Sequence, residues 1–142
     1  MAVVLHILMK GRAFTLGALG SSLEACELVT FIGQVKAQNE KEHDRLLARL
    51  QDAVDNGPPI HDRRKSRGLE GRDCEGLYEF KTSGGLRVLY FYDKERLLIC
   101  SHGILKLKPK ELKKECRHAQ QRMSQYFEAQ RQNTLKTKPL ET

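Results

Sequence analysis

The chain has 142 residues, with 25 Lys and Arg against 18 Asp and Glu and a formal net charge of +7. That length suits one domain with a real core, and the positive excess points to an anionic partner, nucleic acid before an acidic protein. Aromatic residues make up only 6% and Trp is absent, which argues against a broad base-stacking platform.

The apolar run Ala2 to Met9 is shorter than the ~20 residues that a membrane-spanning helix needs. No basic stretch precedes it, so neither a membrane segment nor an export signal is expected, and a cytoplasmic location is. Val3 to Met9 (VVLHILM) reads as a buried strand. The Gly-spaced GRAFTLGALG after it fits a loop or an extension. Ser21-Ser22-Leu23-Glu24 has capping-box spacing, and Leu28, Phe31, Ile32 and Val35 then recur as one apolar stripe of a helix. Asn39 with Glu42 repeats the capping pattern. The second helix carries Leu46, Leu47, Leu50 and Val54 inward and leaves Lys41, Glu42, Asp44, Arg45, Arg49 and Asp52 largely outward. Asp55-Asn56-Gly57-Pro58-Pro59 stops it. Two helices joined so closely predict an antiparallel hairpin lying on a sheet.

The connection IHDRRKSRGLEGRD holds Arg63, Arg64, Lys65, Arg67 and Arg72. Charge runs are usually solvated, but this one leads directly into a strand containing Lys81, which favours a phosphate-facing role. That strand, Leu77 to Thr82, opens a meander. Ser83-Gly84-Gly85 turns the chain, Leu86 to Tyr92 returns, Asp93 to Arg96 turns again, and Leu97 to His102 closes it. A hairpin brings Lys81 and Arg87 close, so cations from two strands converge on one spot. Beyond it, Pro109 suits the first turn of a helix, with Leu112, Cys116, Ala119, Met123 and then Tyr126 or Phe127 facing the core. Lys106, Lys108, Lys110, Lys113, Lys114 and Arg117 crowd the approach and first turns. Cations at a helix start oppose its dipole, which favours an anion bound nearby.

The four cysteines are Cys26, Cys74, Cys100 and Cys116. The pairs Cys100/His102 and Cys116/His118 have C-x-H spacing. The first fits a shared strand face, but positions i and i+2 of a helix diverge, so reduced, mostly buried thiols are expected and no metal site is. The expected fold is a single α+β domain over residues 1–128, with the helices on one face of the sheet. Residues 129–142 are expected to form a polar, flexible tail.

Several stretches together resemble the phage-derived branch of the RelE/HigB toxin superfamily. They are Asn56-Gly57-Pro58-Pro59, Leu69-Glu70-Gly71, Leu77-Tyr78-Glu79-Phe80-Lys81, Leu86-Arg87-Val88-Leu89-Tyr90-Phe91, His102-Gly103-Ile104 and the Lys-rich lead into the last helix. The resemblance covers roughly Ser21 to Phe127. It implies a RelE-like fold: an antiparallel β-meander sheet with an N-terminal helical hairpin and a C-terminal helix. Lys81 stands where the family often has Arg, and Arg87 matches the Arg of a "YRV" strand. His102-Gly103-Ile104-Leu105-Lys106-Leu107 stands where many members read "HGFxKK". Here Ile104 replaces the Phe, Leu107 replaces the second Lys, and Glu70 stands where a Lys is common.

The resemblance further implies a toxin of a type II toxin–antitoxin system that cleaves mRNA on the ribosome without metal or cofactor, restrained by a helix-turn-helix antitoxin. That chemistry needs cations on the phosphorane, foremost Arg87 and then Lys81, and a proton carrier, His102. Arg63, Arg64, Lys65, Arg67, Arg72, Lys106, Lys108 and Lys110 are expected along the RNA. Tyr90 fits the core better than the site; His118 and Tyr126 are weaker candidates. The alternatives are a ParE-like gyrase inhibitor, for which the loss of the two Lys argues, and a phage nucleic-acid-binding protein of the same fold.

Overall fold

A computed structural model describes residues 3–58, 62 and 65–139. The elements are β1 (Val4–Lys10), β2 (Thr15–Gly20), α1 (Glu27–Gln38), α2 (Glu40–Asn56), β3 (Ser66–Gly68), β4 (Tyr78–Lys81), β5 (Arg87–Asp93), β6 (Leu97–Ile104), α3 (Leu112–Arg131) and β7 (Lys136–Lys138). The strands form one sheet in the order β3-β4-β5-β6-β2-β1-β7. β3 to β6 run antiparallel as the expected meander, extended at its edge by β3. β2 joins β6 in parallel, and β7 joins β1 in parallel.

The fold is α+β, but the expected architecture needs correcting in three respects. Two paired strands precede the helical hairpin, the sheet is seven-stranded and mixed, and the helices cover both of its faces. The segment left open between a loop and an extension contains β2, which lies between β6 and β1. Its residues Leu16 to Leu19 are buried throughout, so it carries no polar alternation by which a strand is recognised.

Strand alternation feeds two cores. Phe80, Val88 and Tyr90 point to the side of α1 and α2, where Leu28, Phe31, Val35, Leu46 and Leu50 meet them. Leu77, Leu89, Phe91 and Ile99 point to the other side, under Cys116, Ala119 and Tyr126 of α3. After Phe127 the helix runs on to Arg131, and β7 follows beside β1.

Local signals hold unevenly. Asn39 accepts from the Glu42 N–H at 3.2 Å, as the capping pattern requires. The Glu42 side chain, expected outward, is buried instead and turns to the β4–β5 turn, where it accepts from Thr82 Oγ1 at 2.9 Å. The first capping signal is displaced. Ser22 Oγ accepts from the Ala25 N–H at 3.2 Å, and α1 begins after Cys26 without a side-chain cap. Cys74 and Cys116 form a disulfide, against the expectation of reduced thiols, while Cys26 and Cys100 are free and buried. The bond ties the 3-10 turn Arg72–Cys74 to α3.

Candidate functional site

The register of the meander lines up two rows of side chains on the face that α3 partly covers. Arg67 of β3 opposes Glu79 of β4, Glu79 opposes Leu89 of β5, and Leu89 opposes His102 of β6. In the next row Lys81 opposes Arg87, which opposes Ile104. Side chains in one row stand ~5 Å apart across the sheet, and diagonal neighbours ~7–8 Å apart.

The centre of the two rows is Glu79, whose side chain is fully buried. Its Oε1 accepts from Arg67 Nε and from Arg87 Nη1, both at 2.7 Å, and Oε2 accepts from Arg87 Nη1 at 3.0 Å. The two arginine side chains retain 30% and 22% exposure. One carboxylate therefore aims two guanidinium groups while leaving each an open side. Glu79 was missing from the sequence expectations, although the two-residue strand period puts it on the face of Lys81. Built-in counter-charge thus exists at the cation cluster.

Lys81 is half-buried. Its N–H donates to the Lys65 carbonyl at 2.8 Å, and its own carbonyl accepts from Arg49 Nε at 2.9 Å. Lys81, Lys65, Arg49, Thr82 and Ser83 line one groove at that edge of the sheet. Arg49, read from the sequence as a solvated helix residue, is the second residue that sequence reasoning missed; it is the only cation of that groove supplied by α2. Two glycines shape the rim. Gly85 turns the chain at φ +91°, a conformation that costs Gly little, and a Cβ on Gly84 would lie 1.6 Å from Glu42 Oε1.

Of the remaining expected residues, Arg63 and Arg64 lie outside the described residues. Arg72 is exposed on the 3-10 turn beside the disulfide, and Lys106, Lys108 and Lys110 are exposed on the connection into α3. Tyr90 is buried with its hydroxyl 2.8 Å from Ser66 Oγ, and burial pushes its phenol far up. That is the core role preferred for it.

The structure sets Lys81 opposite Arg87 and places His102 on the same face of the sheet, in the neighbouring row opposite Leu89. A bulge divides His102 from Cys100: Leu89 opposes His102 while Tyr90 opposes Cys100, so Ser101 is extra. Cys100 consequently joins the core under α1, and His102 turns to the α3 side. There its Nδ1 lies 2.8 Å from Ser101 Oγ, its Nε2 lies 3.2 Å from Glu115 Oε1, and its ring centroid is 4.5 Å from that of His118. The His102 side chain is 7% exposed. Burial first, and then His118, push its pKa below the ordinary histidine value against the pull of Glu115, so the imidazole is neutral at neutral pH.

His118 in turn stands 2.9 Å from both oxygens of Glu27, the first residue of α1. Arg122 Nε donates to Glu27 Oε1 at 3.0 Å, and Arg122 Nη2 donates to the same oxygen. Burial raises Glu27, but Arg122 and His118 outweigh it and hold the carboxyl below its ordinary value. The two helix layers meet here because β2 pairs with β6 only as far as Cys100. Beyond that residue the β6 edge is open, and side chains of α1 and α3 join around it.

Residues 34–124 match the pattern of the family described as phage-derived protein Gp49-like. The chain belongs to that family. Gp49-like proteins are toxins of toxin–antitoxin pairs within the RelE/HigB-like superfamily. The match runs from within α1 to within α3 and so includes Arg67, Glu79, Lys81, Arg87, His102 and His118, while the β1–β2 pair precedes it. A comparison with curated proteins gives no match. No described helix is long and apolar enough to cross a membrane.

Proposed function

We propose that this Gp49-like toxin is a ribosome-dependent mRNA endonuclease of the HigB-like kind, and that the Arg67–Glu79–Arg87 cluster holds the scissile phosphate. The carrying observation is the shared carboxylate: two guanidinium groups are oriented before RNA arrives, and both keep an open side. A phosphorane carries more negative charge than the diester, so preorganised cations bind it more tightly and lower the barrier. Lys81, cross-strand from Arg87, adds a point charge to that fork.

In the reaction the ribose 2′-oxygen bonds to the adjacent phosphorus as its proton leaves to neutral His102. The bond from phosphorus to the 5′-oxygen breaks, and that oxygen takes a proton from water, giving a 2′,3′-cyclic phosphate and a 5′-hydroxyl. No step calls on a metal or cofactor. Lys65 and Arg49 extend the positive edge along which the RNA strand runs, and the exposed Lys106, Lys108 and Lys110 add to it from the β6–α3 connection. Silencing falls to a helix-turn-helix antitoxin, and the reaction belongs in the cytoplasm.

A second reading is favoured by one observation, the tie of His102 to Ser101 and Glu115 beneath α3. In that reading the cations bind without cutting, as in a ParE-like gyrase inhibitor or a nucleic-acid-binding phage protein. Incubation with translating ribosomes followed by mapping of mRNA ends separates the two. The endonuclease gives new 5′-hydroxyl ends that disappear with Arg87→Ala. Uncut mRNA together with inhibited supercoiling in a gyrase assay overturns it.

A further inference from the structure

We propose that Glu27, His102 and His118 form a binding site for a divalent transition-metal ion of the zinc class, with Glu115 completing the donor set. One atom from each of the three lies within 4.8 Å of the others, and Glu115 Oε1 stands 3.2 Å from His102 Nε2. Two imidazole nitrogens and two carboxylates suit a four-coordinate ion. With bond lengths of about 2.0–2.2 Å, tetrahedral donors stand about 3.4 Å apart. The observed spread closes through side-chain rotation of Glu27 and His118, both about a third exposed.

Two carboxylates, Glu27 and Glu115, stand beside the two imidazoles and one guanidinium, Arg122. The donors come from three elements: Glu27 from α1, His102 from β6, and His118 with Glu115 from α3. An ion would therefore clamp the two helix layers together around the open edge of β6. Arg122 does not block it, because its bonds go to Glu27 Oε1 and leave Oε2 for the metal. Ser101 Oγ, 2.8 Å from His102 Nδ1, fixes the ring in the way that outer partners orient metal-bound imidazoles. Access is through the groove lined by Glu24, Glu27, Thr30, Gln34 and His102.

A neutral imidazole has a single free lone pair, which a metal or a transferred proton can take but not both, so the two uses of His102 exclude each other and the metal-loaded toxin is the silent one. The site itself does not depend on the RNA-cleaving reading, and its test uses no activity. Full-length protein with its disulfide intact is stripped with a chelator, dialysed and titrated with Co²⁺ and Zn²⁺. The expected result is one equivalent bound, the intense visible bands of four-coordinate Co²⁺ without thiolate charge transfer, and a Zn²⁺-dependent rise in melting temperature. His118→Ala and Glu27→Gln weaken binding by about 10–100-fold or more, whereas His43→Ala, on α2 and outside the donor set, leaves it unchanged. Should His118→Ala fail to fold, His118→Gln and the melting shift of the native protein decide. Absence of saturable one-to-one binding, thiolate bands, or undiminished binding in the folded His118 variant overturns the proposal.

Discussion

Arg87 donates from one nitrogen, Nη1, to both oxygens of the buried Glu79, at 2.7 and 3.0 Å. Arg67 takes the remaining approach to Oε1, so removing the carboxylate leaves two guanidinium groups repelling each other on neighbouring strands. Because both arginines retain an exposed side, water recovers part of the loss. Glu79→Ala is therefore expected to cost about 1–3 kcal/mol, less than the 3–5 kcal/mol typical of a fully buried pair that loses one partner. A urea titration checks this through its midpoint, with an unchanged slope showing that the fold is kept.

Arg87→Ala leaves Glu79 paired with Arg67 and so spares the fold while emptying the fork. Growth arrest on induction should disappear, with a rate loss on the order of 100-fold or more for one missing transition-state donor. Arg87→Lys should recover only part of it, since an ammonium cannot reproduce the planar fork. Lys41→Ala, on the exposed face of α2, should leave toxicity intact and stability within about ±0.5 kcal/mol. A folded Arg87→Ala variant as toxic as the native chain would remove the phosphate assignment.

The pairing of Lys81 with Arg87 was legible because a short Gly-rich turn between two β-branched and aromatic runs fixes hairpin register. The helical stripes were legible for the same local reason. What escaped is non-local. β2 is recognised as a strand only once β6 and β1 pair both its edges and the two cores bury its faces. Whether α3 covers the face opposite α1 and α2 depends on the path of its connection, which carries no periodic signal. The C-x-H pairs misled because each was read by itself: the Ser101 bulge divides Cys100 from His102, the disulfide takes Cys116, and the two histidines meet. Glu79 sat in view, one carboxylate on a strand, but nothing along the chain says that it is buried.

The turn at Gly84 supplies a coupling test. A Cβ there would overlap Glu42 Oε1, so Gly84→Ala must expel the Glu42 carboxylate and break its bond to Thr82 Oγ1. A loss of about 1–3 kcal/mol is expected for the hydrogen bonds given up. In a Glu42→Ala background the same substitution meets no obstacle and should cost little. The double-mutant cycle should thus show a coupling of 1 kcal/mol or more, on the order of what contacting residues give. Additive effects would mean that Glu42 does not fill the turn in solution.

Asp93 accepts from Tyr126 Oη at 2.5 Å and from Gln130 Nε2 at 3.0 Å. Burial works to raise its pKa, but the bonds from Tyr126, the Lys94 N–H and Gln130 outweigh it and depress the carboxyl below its ordinary 3.8. A depressed folded pKa gives stability that is complete above the unfolded value and is lost as pH falls through the folded one. Tyr126→Phe removes one of those bonds and should cost about 1 kcal/mol at pH 7. Its deficit should shrink as the pH is lowered past 3.8, where protonation of Asp93 costs the native chain more than the variant. Parallel stability curves from neutral to acid pH would contradict the assignment.

The Cys74–Cys116 disulfide closes a loop with a sequence separation of 42 residues. In the chain-entropy account a loop of that size is worth about 4 kcal/mol, and observed losses on removing a bond are commonly about 2–4 kcal/mol. Other contacts still hold the turn on α3 after reduction. Arg117 Nε donates to Asp73 Oδ1 at 3.3 Å, and Gln120 Nε2 donates to the Glu75 carbonyl at 2.5 Å. The folded geometry is therefore kept, and the loss falls mainly on the unfolded chain, which regains freedom. The Cys74→Ser/Cys116→Ser variant should unfold at a lower urea concentration by that amount and should respond no further to reductant. Its Arg67–Glu79–Arg87 cluster lies on β3, β4 and β5, none of which carries either cysteine, so toxicity per folded molecule should match the native chain. Equal unfolding midpoints with and without reductant would show that the two thiols are not bridged in solution, leaving the Arg117 and Gln120 contacts to hold α3 to the turn.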